Sequence, residues 1–370
     1  MASTSITDFY LPPEHLSKIE SLLLRESPSM AGHLYTAQEV EATDLRYIAV
    51  PVDQSIGSIT RKFPDGPTYF VFTAAKVANA AIARFQGFQC IVITASLPFR
   101  VVHVLRHFTS NQNLCNYIRF GTAVSEPVGE ALRTREEAVE HLYETDMPNS
   151  SDEQAILAYQ LNHLVVYLIT AHEIGHFALG HRQIHTAHFM DETDRKTDPV
   201  ALALKRALEW DADSFAFAAT VYLALSDFRK EPMVASLLTD PQTSLRAVAL
   251  AAYCFFSVMD SSKNQDIAVE ERTHPRPLVR MGLVTFKLAA MMQPLGWMML
   301  EDSLAIMAET NRAFEVTLFE IAGGVMEKEL AERLTTELDA EFDQLLSILD
   351  KTTSGLDRSR LSDLAWAKFL

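Results

Sequence analysis

Two patterns of apolar and polar residues divide the chain near Ser150. Before that point the pattern is mixed. Short runs rich in β-branched and aromatic residues at Tyr47–Val52, Tyr69–Thr73 and Gln89–Thr94 alternate with turn-like or helical pieces, and these runs are expected to be strands. The segment Gly57–Pro67 (GSITRKFPDGP) carries a PDGP turn signal, as a hairpin or loop between two strands would. From Asp152 onward the spacing is helical. Ser151 and Asp152 form the start signal of a long helix that runs to Gly180. The charged stretch Thr186–Asp198 (TAHFMDETDRKTD) reads as a polar loop, closed by Pro199 at the start of a second helix. That helix, VALALKRALEWDADSFAFAATVYLAL, is apolar on most sides and is expected to be buried. The uncharged run Ala247–Met259 (AVALAAYCFFSVM) is read as another buried helix, being shorter than the roughly 20 residues a membrane span needs.

After Ser261 a polar loop leads to THPRPLVR, and the rest reads as amphipathic helix. In the tail from Thr335, Leu338, Phe342, Leu345, Leu346 and Leu349 recur three or four apart, a face for packing on the same chain, on a regulatory partner or in a homo-oligomer. No internal repeat is present. The expected fold class is α+β, predominantly helical with a small N-terminal β-sheet. Its expected parts are an N-terminal segment 1–67, a core 68–290 and a C-terminal helical extension 291–370.

Charge narrows the function classes. Thirty-two Lys and Arg face 48 Asp and Glu in 370 residues, a net charge of −16 without basic clusters, so a nucleic-acid partner is not expected. Three cysteines, Cys90, Cys115 and Cys254, without CxxC spacing, signal neither a disulfide framework nor a cysteine metal site. With no secretory signal and no membrane span expected, the reading is a cytoplasmic protein.

Chemistry concentrates in HEIGH. His172 and His176 are four apart, so one helix turn brings both imidazoles to one face where they can share an ion. Glu173 sits beside them as a candidate base for a metal-activated water. Leu161, Val165, Leu168, Ile169 and Leu179 share that stripe, so the polar rings interrupt a buried face, where a metal would offset their desolvation. A pair of hydrogen-bonded core histidines is the alternative. Gly175, costing about 1 kcal/mol mid-helix relative to Ala, suggests close approach of another backbone. A longer HExxHxxGxxH site is excluded, because Leu179 and Arg182 occupy its last two fixed positions. In ALEWDADSFAFA, Glu209 and Asp213 again lie one turn apart. Glu209 would complete a His/His/Glu set suited to Zn2+, and Asp213 would accept from the outer nitrogen of a ligating histidine. Asp211 points elsewhere on the helix, and the bland alternative is that EWDAD forms a solvated acidic strip. His181, His185 and His188, past Gly180, are expected at the surface.

HExxH followed by ExxxD on a second buried helix resembles the gluzincin metallopeptidases, and HEIGH…EWDAD is similar to the CAAX prenyl protease and HtpX-like peptidases. The resemblance spans roughly Asn79 to Arg280 and includes His274, Pro275 and Arg280 of THPRPLVR. It implies a zincin-like core and an oxyanion-steadying role for His274; a His-Pro helix start at the surface is the alternative. It also implies that Gln89, Ile91 and Ile93 belong to an edge strand along which an extended peptide pairs, with an internal strand as the alternative. The transmembrane helices of the membrane-bound members are missing, and by class the chain also looks like the soluble Lit-like and regulatory HExxH proteases. The resulting expectation is a zinc-dependent endopeptidase acting on a protein or peptide substrate with Glu173 as general base. The alternatives are a regulatory, partner-binding protein on a zincin fold with little turnover, and a hydrolase of non-peptide bonds. The 186–198 loop would gate the cleft or be a plain surface insertion.

Overall fold

In the computed structural model the described residues are 8–60, 66–124, 135–181, 189–191, 199–225, 234–260, 274–275, 279–282, 292–293, 296–324, 340, 343–344 and 347. Helices dominate. Among the described residues three α-helices precede the sheet: α1 (Leu16–Glu26), α2 (Ala37–Glu41) and α3 (Arg46–Thr60). The run Tyr47–Val52, expected as a strand, is the start of α3. Its buried positions, Ile48, Ala49, Val52, Ile56 and Ile59, follow helical spacing once the window is widened, and Pro51 is accommodated inside the helix. The PDGP signal falls partly on residues outside those described, and α3 occupies the beginning of its segment.

The sheet contains β1 (Thr68–Thr73), β2 (Ala80–Phe85), β3 (Phe88–Thr94) and β4 (Phe189–Asp191) in the order β1-β3-β2-β4. Strands β1 and β3 run parallel, with Thr68 opposite Gln89 and Thr73 opposite Thr94. Strands β2 and β3 form an antiparallel hairpin closed by the Phe85–Phe88 pair, and Gly87, at φ +94°, supplies the left-handed residue of its two-residue turn. Asn79 fastens the open end of this hairpin. Its N–H donates to Thr94 Oγ1 at 2.8 Å, and its carbonyl accepts from the Thr94 N–H at 2.9 Å.

Two expectations change here. β3 is internal, buried along its whole length and hydrogen-bonded to β1 and β2, so Gln89, Ile91 and Ile93 do not form a peptide-binding edge. The far side of β1 is also covered, by bridges from Tyr10 to Phe70 and from Leu34 to Thr73. Second, the polar segment 186–198 is not wholly loop, because Phe189–Asp191 pairs with Ala81–Ala83 as β4.

After the sheet come α4 (Ser96–Ser110), α5 (Gln112–Phe120) and α6 (Arg135–Glu144). The long helices are α7 (Asp152–Ala178), α8 (Pro199–Leu225), α9 (Pro241–Asp260) and α10 (Leu300–Ile321). α7 starts where the sequence signals it. Ser151 Oγ accepts from the Gln154 N–H at 3.3 Å, while Gln154 Oε1 accepts from the Ser151 N–H at 2.9 Å, a reciprocal capping box. It is the central helix, packing on α8, α4, α9 and α3. From Leu157 to Gly175 it is buried nearly all round, which explains its weak apolar periodicity. α9 contains the expected buried helix Ala247–Met259. One cluster of buried side chains runs from Tyr10 to Ala322, so the N-terminal segment and the start of the C-terminal extension share the core of the middle part. Leu338, Phe342, Leu345, Leu346 and Leu349 lie outside the described residues.

Candidate metal centre

Two helices build the site. His172 and His176, one turn apart near the C-terminal end of α7, face Glu209 and Asp213, one turn apart in α8. The approach is close because residue 175 is glycine. A Cβ there would stand 3.0 Å from Phe215 Cδ1 and 3.4 Å from the Ala212 carbonyl oxygen, so the backbone contact inferred from Gly175 is present.

The ligand atoms converge. His172 Nε2 lies 3.2 Å from His176 Nε2 and 3.2 Å from Glu209 Oε2, and His176 Nε2 lies 3.5 Å from the same oxygen. Atoms bound about 2.1 Å from a tetrahedral centre stand about 3.4 Å apart, so these spacings fit three ligands on one ion. The chemistry fits too. The second ring nitrogen of His172, Nδ1, is 2.9 Å from Asp213 Oδ1 and donates its hydrogen there, so Nε2 faces the Glu209 carboxylate and needs either a proton or a metal ion between them. Such an arrangement calls for a positive charge between the two. The buried group His172, His176 and Glu209 can hold a metal ion.

The two rings differ in proton affinity. Burial works against charge on His172, but Asp213 and Glu209 outweigh it and hold the ring well above its usual pKa, so a metal ion bound there would displace a proton. Burial pushes His176 down to about 4, keeping it neutral as a ligand must be. Glu209 is held well below the carboxylate range against its burial, through His274 and His176. Asp213 is likewise lowered against burial, first by Arg280, whose Nε and Nη2 donate to its two oxygens at 2.7 Å each. Arg280 also lies 4.2 Å over the Phe256 ring.

Glu173, 2% exposed, follows His172 directly, and its charge acts on the His172 ring. His274 belongs to this cluster and not to the surface: its side chain is 10% exposed and its Nε2 lies 3.1 Å from Glu209 Oε2. Every acidic position of EWDAD is buried, so the motif is not a solvated strip. Gln89, Ile91 and Ile93 remain in the middle of the sheet.

One residue departs from its expected place. His181, expected at the surface, is fully buried, with its Nδ1 3.0 Å from His176 Nδ1. Asp211 points elsewhere on the helix than Glu209 and Asp213, as expected, and is 5% exposed with Oδ2 3.2 Å from His181 Nε2. The available signal was Gly180, which adopts φ +71° and ends α7, so that the next residue folds back instead of continuing outward. His185 and His188 lie outside the described residues. No family model, curated protein or solved structure matches the chain.

Proposed function

We propose that the protein is a zinc-dependent endopeptidase of the gluzincin kind, with a zincin-like core. The observation that carries this reading is the convergence of His172 Nε2, His176 Nε2 and Glu209 Oε2 at 3.2 to 3.5 Å, with Glu173 buried beside them. Two imidazoles and one carboxylate suit zinc and leave a fourth position for water. The chemistry such an ion supplies when bound is Lewis acidity toward a carbonyl and a lowered pKa for water.

The chain's own residues do the rest. Glu173 accepts a proton from the attacking water and returns it to the departing amine. His274, whose Nε2 lies 3.1 Å from Glu209 Oε2, would turn from that oxygen to donate toward the carbonyl oxygen as it becomes negative. Asp213, clamped by Arg280, fixes the ring of His172. Because β3 is internal, an extended substrate would pair at the β4 end of the sheet, its outer strand among the described residues.

The test compares wild type with Glu173→Gln for bound metal and for cleavage of a peptide library read by mass spectrometry. About one zinc per chain is expected in both, with chelator-sensitive cleavage in wild type and a loss on the order of 10²–10⁴-fold in the variant. Equal cleavage by both would remove Glu173 from the mechanism. Bound zinc without cleavage in wild type would favour the partner-binding alternative.

A further inference from the structure

Behind His176 stands a hydrogen-bonded chain that the peptidase chemistry does not use. His176 Nδ1 meets His181 Nδ1 at 3.0 Å, and His181 Nε2 meets Asp211 Oδ2 at 3.2 Å. All three side chains belong to buried residues, at 3%, 0% and 5% exposure. The directions of these bonds follow from the inventory of donors. If His176 offers its Nε2 lone pair to an ion, its ring hydrogen sits on Nδ1 and must be donated to His181. His181 Nδ1 is then the acceptor, so its own hydrogen sits on Nε2 and is donated to Asp211, whose carboxylate only accepts. Both contacts are satisfied by neutral rings in a single pair of tautomers.

We propose that His181 and Asp211 are positioning residues of the metal centre, fixing the tautomer and rotation of His176 as Asp213 and Arg280 fix those of His172. The two supports differ in kind. His172 is backed directly by a carboxylate that Arg280 balances, whereas the relay through His181 keeps the second carboxylate one ring farther from the ion. Gly180 makes the relay possible: His181 is five residues after His176, one position beyond a helical turn, and the left-handed glycine returns it to the site. This inference rests on the metal reading of the site and not on hydrolysis.

Zinc affinity of the full chain, measured by competition with a chromophoric chelator, tests it, together with urea unfolding of the metal-free protein. His181→Leu removes the acceptor and is expected to weaken zinc binding by about 10- to 100-fold. His181→Asn, which places an amide oxygen near the lost Nδ1, is expected to recover most of that affinity. In His181→Leu/Asp211→Leu, which removes the carboxylate as well, zinc binding is expected to stay weak whatever the change in metal-free stability. The absorption bands of the Co2+-loaded protein should shift in His181→Leu and not in His181→Asn. Zinc affinity within twofold of wild type in His181→Leu would overturn the inference. So would a loss of affinity that disappears in the double variant along with the stability defect, since that would mark a purely structural role. A wild type that binds no zinc would sink the metal reading itself, an outcome distinct from both.

Discussion

Asp213 is a full negative charge in the protein interior, and two partners account for its presence there: the His172 ring and the Arg280 fork. Removing one member of such a buried pair costs more than the pair contributes, because the remaining charge stays desolvated. Arg280→Met should therefore lower the stability of the metal-free protein by about 3–5 kcal/mol in urea unfolding. Adding Asp213→Asn should return most of that loss, since the amide is neutral and still accepts from His172; no recovery would mean that Arg280 acts through its packing on Phe256 instead. At this scale the sequence was legible wherever helical spacing alone decides the geometry. His172 with His176 and Glu209 with Asp213 are one-turn pairs, and both are found as pairs. His181 was misread because its place beside His176 follows the left-handed Gly180, which helical periodicity does not describe.

The ligand pairs belong to different helices, so the spacing between α7 and α8 sets the site. Gly175 is where that spacing is most sensitive. Gly175→Ala gains about 1 kcal/mol of helix propensity, against about 1–3 kcal/mol for forcing a methyl to 3.0 Å from the buried Phe215 ring. The net expectation is a lower melting temperature accompanied by weaker metal binding, because relief requires α7 to move away from Glu209. A variant that melts lower but binds metal as tightly as wild type would mean that the strain is absorbed by the Phe215 side chain. Element identity was legible for α7, from its cap and length, and for α8, from the proline at its start and its length. It was not legible for β2, whose Ala-rich sequence AAIARF has little strand preference and is held by pairing with β3 and β4. α3 failed in the opposite sense: its β-branched start satisfies strand propensity locally, while burial over 15 residues imposes the helix.

Across the whole molecule, α9 contains the one helix among the described residues, Pro241–Met259, that is long and apolar enough to cross a membrane, and 89% of its apolar window is buried inside the protein. It contacts α4, α5, α7, α8 and α10, and its buried Arg246 donates to the Ile118 carbonyl at 3.0 Å. A core this continuous makes any buried ionisable group a lever on global stability. His163, on α7 nine residues before His172 and 8% exposed, is pushed down to about 4 by burial. Its folded pKa lies below the unfolded value, so between about pH 6.5 and 4 the unfolded chain binds the extra proton and stability falls as pH falls. Above that window His163 is neutral in both states and contributes no pH dependence. His107, also lowered to about 4 by burial and then by His103, acts in the same direction, so only a variant isolates one group. In urea unfolding with excess chelator, which removes metal release from the comparison, wild type should lose about 2 kcal/mol more than His163→Gln between pH 7.5 and 5. Parallel pH curves for the two proteins would show that His163 takes up its proton inside the folded core without penalty.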